Sequence, residues 1–331
     1  MKAVRSCRHE KKVTLVDVPR PVGAGVRVKV RSAGICASDL HMVNAGFDIP
    51  GILGHEVAGL LPDGRAVALE PLSPCGHCDC CVQGDYGMCR QGAGVVHGVG
   101  LDGGMAEEIL VPERCIVPLP GNVRVEDACL VEPLAVAAHG IRRLTPDARS
   151  RVAIIGAGPL GLCAAALCVP RVAEVAVAAR HDAQKAAAEK LGARLGPQGE
   201  YDIVIECAGT SGSLAEAVGL CGPRARLLLL ATYWEGVQLP AFEVSMKNLT
   251  IEASFMYSQR GLSRDVDVAA QLLGRHPQIA AALISHRLPL HAAEEAFALA
   301  ADRAAGAIKV VLCLLYTSPS PRDGETHLVC R

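Results

Sequence analysis

The sequence has little of several features that mark particular classes of protein. Aromatic residues make up only 3% of its 331 residues, which argues against stacking platforms for single-stranded bases. Neither sign of charge is in excess, since 33 basic residues face 34 acidic ones, so the chain lacks the basic face that nucleic acid requires. No apolar run reaches the ~20 residues that span a bilayer, and charged residues directly after Val4 exclude an export signal. We therefore expect a soluble, cytoplasmic protein that binds neither nucleic acid nor membrane.

The composition that is present indicates a globular chain. Half of the residues are hydrophobic and 20% are charged, and the length predicts two domains that each bury a core. The 15 cysteines would suggest disulfides in a small secreted domain. In a chain without an export signal, clustered cysteines more often bind metal or take part in chemistry.

The pattern of short apolar runs predicts two kinds of architecture. Residues 1–132 are rich in Val, Gly and Pro and contain alternating runs such as 26–30, which indicates a β-rich, barrel-like domain. Beyond them, strands alternate with helices, which predicts a parallel sheet. The predicted strands are 151–155, 172–179, 202–207 and 227–231, and the helices between them include 160–168 and 182–191. Helices at 266–273 and 292–302 precede a final strand, 308–312, that could return to the first domain.

The last nineteen residues, 313–331, read differently from the rest of the chain. They resemble one reading frame of a transposase-type sequencing adapter, and we interpret them as an assembly artefact. A Pro/Ser-rich disordered terminus is the alternative. We expect the native protein to end within a few residues of Leu312.

A glycine motif follows the predicted strand 151–155 and opens a helix. It reads Gly156-Ala157-Gly158-Pro159-Leu160-Gly161, and its strand–turn–helix context is the one in which this pattern binds a dinucleotide. The first glycine permits a tight turn, the second lets the backbone approach a pyrophosphate, and the third allows close helix packing. The helix N-terminus then stabilises the phosphate charge.

The end of the next strand bears on the choice of cofactor. An acid there binds the 2′-hydroxyl of NAD, whereas an arginine accommodates the 2′-phosphate of NADP. The sequence has Ala179 at the usual acid position and Arg180 beside it. Arg180 therefore favours NADP over NAD, unless it is simply a solvated residue at the strand end.

Four cysteines with short spacing predict a metal site. Cys75, Cys78, Cys81 and Cys89 match a closed tetrahedral site, and glycines between them let the chain curl. Zinc suits four sulfur ligands and needs no redox role. Cys80 is expected to be a bystander, and His77 is the alternative ligand.

Three further segments carry a family resemblance. They are Gly34-Ile35-Cys36-Ala37-Ser38-Asp39-Leu40-His41, Gly54-His55-Glu56 and Val131-Glu132-Pro133-Leu134-Ala135. Together with the two motifs above, they resemble the medium-chain zinc-dependent alcohol dehydrogenases, and most of all the polyol (sorbitol) and threonine dehydrogenase branch. The resemblance extends from Met1 to Leu312.

The resemblance implies the fold and the domain boundaries. The α/β chain is expected to combine a GroES-like β-barrel catalytic domain, residues 1–132 and 260–312, with a Rossmann domain, residues 133–259, that has a doubly wound parallel sheet. The catalytic domain would include a structural zinc lobe, residues 75–89. The active site would lie in the cleft between the domains.

The resemblance also implies the site residues. Cys36 and His55 would hold a catalytic zinc, with Glu56 as a neighbouring or direct ligand, and Glu132 would bind it directly or through water. Ser38 would be the first proton acceptor and His41 a relay residue, although a surface role for His41 is a close alternative. Asp39 would hydrogen-bond His55 and fix its tautomer.

The function implied is reversible hydride transfer between a secondary alcohol and NADP or NAD, with two zinc ions per chain. The substrate would be a polyol, a sugar derivative or a hydroxy-amino compound. An NADPH-driven reductase of aldehydes or ketones is the first alternative, and a non-catalytic redox sensor that binds the cofactor is the second. A homodimer or homotetramer is expected by analogy.

Overall fold

The structure is a computed structural model, and it describes residues 1–314. Within that range, no helix is both long and apolar enough to cross a membrane.

The described residues form short strands and helices. The strands are β1 Lys2–Cys7, β2 Lys12–Asp17, β3 Val26–Gly34, β4 Glu56–Leu60, β5 Ala66–Leu69, β6 Glu108–Val111, β7 Ile116–Pro118, β8 Arg151–Ile155, β9 Glu174–Ala178, β10 Arg194–Leu195, β11 Tyr201–Glu206, β12 Cys221–Leu229, β13 Thr250–Ala253, β14 Gln259–Arg260, β15 Ser263–Arg264, β16 Ile284–Pro289 and β17 Lys309–Cys313. The α-helices are α1 Ala37–Asn44, α2 Asp79–Val82, α3 Val131–Leu144, α4 Pro159–Cys168, α5 Asp182–Lys190, α6 Ser211–Leu220, α7 Ala241–Met246, α8 Asp265–Arg275, α9 Gln278–Leu283 and α10 Ala293–Ala301.

The chain divides into two compact units. Unit 1 consists of Met1–Cys75, Arg90–Glu132 and the residues from Ile284 onward, and unit 2 consists of Gly76–Cys89 and Pro133–Leu283.

Unit 1 is built on a seven-stranded sheet in which β3 is the longest strand. β3 pairs antiparallel with β4, with β6 over its first half and with β17 over its last residues. The final strand thus returns to the first part of the chain, with Val311 opposite Gly34. The core beneath consists of Val, Ile and Leu residues of these strands, together with Phe297 and Ala296 of α10.

Unit 2 contains a six-stranded sheet in which every pairing is parallel. Its strand order is β10-β9-β8-β11-β12-β13. Numbered from β8, this order is 3-2-1-4-5-6, the doubly wound arrangement in which the strand order reverses between β8 and β11. Its central strand β8 and helix α4 are almost wholly buried, as their near-continuous apolar sequences require.

The structure moves two of the expected domain boundaries. Residues 260–283, expected in the first domain, cluster with unit 2, because α9 packs on α4 and α5. The four-cysteine lobe, also expected in the first domain, clusters with unit 2 from Gly76 to Cys89. Its Tyr86 hydroxyl donates a hydrogen bond to the Ser258 carbonyl at 3.2 Å, which ties the lobe to that unit.

The segment 313–331, interpreted as an artefact, lies outside the described residues except for its first two. Cys313 belongs to β17 and pairs with Ser32, and the Leu314 N–H donates to the Arg31 carbonyl at 3.0 Å. Cys313 and Leu314 therefore belong to the described fold and lie within a few residues of Leu312, where the native end was expected.

Candidate active site

Unit 1 brings together three of the predicted metal ligands. One ligand atom each of Cys36, His55 and Glu56 lies within 4.8 Å of the others. The register of the sheet explains this, because Gly34 at the end of β3 pairs with Glu56 at the start of β4. A Cβ at position 34 would stand 2.1 Å from a Glu56 carboxylate oxygen, so any larger residue there would have to displace that carboxylate.

A buried carboxylate orients this group. Asp39 is fully buried, and its Oδ2 accepts a hydrogen bond from the Cys36 N–H at 3.0 Å. Its Oδ1 faces His55 Nδ1 at 3.4 Å, and neither of these two buried atoms has a hydrogen-bond partner. The predicted contact between Asp39 and His55 is therefore present as an approach and not as a formed hydrogen bond. Because Asp39 faces Nδ1, the Nε2 side of the His55 ring is available to a metal. A carboxylate that faces the second ring nitrogen of a metal-binding histidine orients the ring in this way.

The electrostatics of the group suit a cation. Burial lowers the pKa of His55, but the Asp39 carboxylate and the Cys36 thiolate outweigh it and raise that pKa well above its usual value. A site that draws a proton so strongly attracts a divalent cation for the same reason, and sulfur, imidazole and carboxylate are ligands that zinc accepts. The residues present therefore fit a catalytic zinc.

Lys309, which no sequence motif indicated, pairs with Glu56. Its Nζ donates to both Glu56 carboxylate oxygens at 2.6 Å and to the Ile35 carbonyl at 3.1 Å. Both side chains are about 1% exposed, and although burial lowers the Lys309 pKa, the Glu56 carboxylate raises it overall. A lysine inside the apolar run 308–312 was the available signal, because lysine is almost never fully buried without an acidic partner.

Glu132 lies near the group but outside it. It stands in the first turn of α3 and is buried, yet its carboxylate is not among the ligand atoms within 4.8 Å of one another. Burial is the main cause that raises its pKa to about 7, and the nearby carboxylates of Glu56 and Asp39 add to it. His55 and Lys309 act in the opposite direction.

The two predicted proton-relay residues both lie on α1. The Ser38 Oγ is 3.4 Å from His55 Nε2, so this hydroxyl stands beside the ligand group. His41 follows three residues later and is half-buried. That spacing places both side chains on neighbouring positions of one helix face.

The four predicted cysteine ligands form a second group. One sulfur each of Cys75, Cys78, Cys81 and Cys89 lies within 4.8 Å of the others, whereas Cys80 and His77 are outside this group. Gly76 and Gly84 have φ angles of 77° and 90°, which let the chain reverse around the sulfurs. Four convergent thiols fit a closed structural zinc site.

The glycine motif has the predicted backbone geometry in unit 2. Gly156 has a φ of 101°, Pro159 is the first residue of α4, and a Cβ on Gly161 would stand 1.9 Å from the Gly156 carbonyl oxygen. Gly158 caps the helix in an extended conformation, and Leu160 lies in its first turn. Arg180 lies just beyond the end of β9 and is exposed, as a residue that meets a ligand phosphate would be.

The pKa of Glu132 leads to a prediction for the metal-free protein. The folded chain holds this proton up to about pH 7, whereas the unfolded chain releases it near 4.5. The free energy of unfolding therefore decreases as the pH rises from about 4.5 to about 7. Glu132→Gln has no proton to release there, so this decrease should be absent in the variant. We expect the free energy of unfolding of the variant, relative to that of the wild type, to rise by on the order of 2 kcal/mol from pH 5 to pH 7.

Chemical denaturation of the metal-free proteins at several pH values measures this gain. Glu113→Gln changes an exposed acid and serves as the control, with no pH-dependent gain expected. A difference between Glu132→Gln and wild type that does not change with pH would contradict the prediction.

Comparison with known proteins places this arrangement in a family. Residues 23–121 match the alcohol dehydrogenase GroES-like domain. The chain is 31% identical over 298 residues to galactitol 1-phosphate 5-dehydrogenase of Escherichia coli K12, with 79% of this chain and 85% of that protein covered. The chain belongs to the medium-chain zinc-dependent alcohol dehydrogenases. It is therefore an oxidoreductase, and its two units correspond to the GroES-like and Rossmann folds of that family.

Two solved structures of similar dehydrogenases extend the comparison. An alcohol dehydrogenase of Escherichia coli CFT073 in complex with NADH superposes with a TM-score of 0.82 and 27% identity, covering 95% of this chain and 99% of that one. A zinc-binding dehydrogenase from Sinorhizobium meliloti 1021 bound to NADP superposes with a TM-score of 0.81 and 27% identity, covering 94% and 98%. The similar dehydrogenases therefore include proteins solved with each nicotinamide cofactor.

Proposed function

We propose that this dehydrogenase interconverts a secondary alcohol and its ketone with NADP or NAD as the hydride carrier. The substrate is a polyol, a sugar derivative or a hydroxy-amino compound. The observation that carries the proposal is the convergence of Cys36, His55 and Glu56, in a chain that also contains the glycine turn of a doubly wound sheet.

Each of the site residues would have a separate role in metal binding or proton transfer. Cys36 and His55 would hold the catalytic zinc, Glu56, which pairs with Lys309, would be a neighbouring or direct ligand, and Glu132 would bind the zinc directly or through water. When bound, the zinc would supply a Lewis acid and the nicotinamide cofactor would supply the hydride chemistry. Ser38 accepts the hydroxyl proton and passes it to His41. Cys75, Cys78, Cys81 and Cys89 hold a second zinc that is structural.

Arg180 is the residue that favours NADP. It is exposed beyond the end of β9, where an arginine can pair with the 2′-phosphate, and Ala179 occupies the usual position of the acid that binds the 2′-hydroxyl. Arg180→Asp removes a charged hydrogen-bond donor and adds a repelling carboxylate. We expect the ratio of kcat/KM for NADP to that for NAD to fall about tenfold or more.

Steady-state kinetics with both cofactors measures this ratio. Arg171→Asp makes the same change at another exposed arginine of unit 2, and we expect it to leave the ratio unaltered. If Arg180→Asp also left the ratio of kcat/KM for NADP to that for NAD unaltered, Arg180 would not contact the 2′-phosphate of the cofactor.

The same arginine favours one alternative direction of the reaction. An enzyme that prefers NADPH often works as a reductase, so reduction of an aldehyde or ketone is the second candidate function. A non-catalytic redox sensor, by contrast, would not need the convergent group of Cys36, His55 and Glu56.

A substrate panel tests the proposed function. Sugar alcohols, amino alcohols, simple secondary alcohols and the corresponding ketones are each assayed with both nicotinamides, and the zinc content is measured on the same protein. Turnover of at least one alcohol–ketone pair with about two zinc ions per chain supports the proposal. About one zinc ion and no turnover would favour the non-catalytic sensor.

The proposal extends to assembly and location. β13 is an edge strand of the sheet in unit 2, and the exposed Phe255 follows it, so this edge can pair with a second copy. A homodimer or homotetramer is the expected state, which light scattering measures. Reduced cysteine clusters suit the cytoplasm.

A further inference from the structure

A buried carboxylate that the proposed reaction does not use stands at the end of β11. Glu206 is the last residue of that strand and is fully buried. Its Oε1 accepts hydrogen bonds from the N–H groups of Ala208 at 2.8 Å and Gly209 at 2.9 Å. Its Oε2 accepts one from the Tyr233 hydroxyl at 2.6 Å and a longer one from Gly209 at 3.2 Å. One side chain thus holds the loop after β11 against the loop after β12.

The hydrogen-bond partners of this buried side chain are neutral donors. Among the residues that the structure describes, no Lys or Arg forms an ion pair with Glu206. Burying a carboxylate without a cation costs stability, so hydrogen-bond donors alone offset the cost. Burial and the bond to Glu206 raise the pKa of Tyr233 above its usual value, which keeps its hydroxyl a donor.

The backbone of the same residue reinforces the arrangement. The Glu206 carbonyl accepts hydrogen bonds from the N–H groups of Leu230 at 2.9 Å and Ala231 at 3.1 Å. The next N–H, that of Cys207, donates to the Ile155 carbonyl at the end of β8 at 2.8 Å. The carboxyl ends of β8, β11 and β12 are therefore joined at this one position.

The loop held in this way lies beside the glycine turn. A Cβ on Gly156 would stand 3.0 Å from the Cβ of Ala208 and 3.1 Å from its backbone nitrogen. In a doubly wound sheet the dinucleotide crosses the point where the strand order reverses, here between β8 and β11. The β8–β9 half takes the adenosine end, and the β11–β12 half takes the nicotinamide end.

We infer that Glu206 is a positioning residue that holds the loop 207–209 and the Tyr233 segment in place for the nicotinamide half of the dinucleotide. The inference rests on the proposed function, because it requires that the chain bind a nicotinamide cofactor. Holding these loops before the ligand arrives lowers the entropy cost of binding. Without Glu206 the dinucleotide itself must order them.

The hydrogen-bond pattern distinguishes two substitutions at this residue. Glu206→Ala removes every side-chain acceptor and leaves the N–H groups of Ala208 and Gly209 without their partner. Glu206→Gln can keep an amide oxygen at the Oε1 position and donate its NH2 to the Tyr233 oxygen, because a hydroxyl can rotate to accept. We therefore expect alanine to disrupt the loop and glutamine largely to preserve it.

The test measures equilibrium binding to the full chain by titration calorimetry. The ligands are NADPH, NADH and the adenosine-half fragments AMP and 2′,5′-ADP. We expect Glu206→Ala to raise the Kd of both dinucleotides about tenfold or more, with the fragments bound as by wild type. Glu206→Gln should bind the dinucleotides within about threefold of wild type, and Tyr233→Phe should weaken them about threefold. Asp202→Asn, at the other end of β11, is the matched control and should bind as wild type.

The outcomes separate the inference from the proposed function. Failure of the wild-type chain to bind any dinucleotide would overturn both. Normal binding by wild type with unchanged Kd values in Glu206→Ala would overturn the inference alone, as would an equal loss of the fragments and the dinucleotides. If Glu206→Ala does not fold, Tyr233→Phe decides, and dinucleotide affinities equal to those of wild type would then overturn the inference.

Discussion

Cys36→Ser is expected to lower kcat/KM about a thousandfold or more while the dinucleotide still binds. The side chain lies in the convergent group with His55 and Glu56, and a hydroxyl is a much poorer zinc ligand than a thiolate. Loss of the metal removes a Lewis acid that contributes several kcal/mol to the barrier reduction. The zinc content should fall from about two to about one per chain, because the group around Cys75 is unaffected. Kinetics, metal analysis and NADPH titration measure the three quantities.

A second cysteine provides the control for this experiment. Cys7 is half-buried at the end of β1 and belongs to neither cysteine group, so Cys7→Ser should keep both zinc ions and normal turnover. Normal activity in Cys36→Ser, or two zinc ions retained, would refute the assignment of the catalytic metal to this group.

Lys309→Met is expected to destabilise the metal-free protein by about 3–5 kcal/mol. The substitution keeps most of the side-chain volume but removes the ammonium group that donates to both Glu56 oxygens. The Glu56 carboxylate is then left buried and unpaired, which is the costly case for a buried ion pair. Denaturant unfolding of the metal-free chain gives the difference in free energy.

Two further variants show whether the ion pair is the cause. Lys12→Met makes the same change in the exposed pair between Lys12 and Glu10, where about 0–1 kcal/mol is expected. Adding Glu56→Gln to Lys309→Met removes the stranded charge and should recover much of the loss. A loss no larger than that of Lys12→Met would show that the buried pair does not stabilise the chain.

Local patterns in the sequence predicted the parallel sheet correctly, and resemblance predicted the family correctly. The alternation of apolar strands and helices after residue 151 indicated the parallel sheet, and the glycine motif fell where the strand–turn–helix context required it. Some bounds shifted: the strand expected at 227–231 runs from Cys221 to Leu229, and that expected at 172–179 is Glu174–Ala178. The first and last residues of a strand depend on how far the neighbouring strand continues to form backbone hydrogen bonds with it.

The candidate site could be predicted only in part. The four cysteines of the lobe lie within fifteen residues of one another, so their spacing alone was informative. The catalytic group combines two segments, and its residues were identified by resemblance to a family. Glu132 was included in that group on the same basis, but its carboxylate lies outside the set of convergent ligand atoms, and its role stays a prediction.

The alternation of elements, the glycine turn and the cysteine spacing depend on neighbours along the chain, and the order of residues was enough to predict them. The folded chain revealed the pairing of Glu56 with Lys309, which are 253 residues apart, and the bond from Tyr233 to Glu206. It also revealed that residues 260–283 pack with unit 2. This difference arises because backbone preference and periodicity act over a few residues. The partner of a buried charged side chain, by contrast, depends on which residue the strand register places beside it, and that residue can be distant in the sequence.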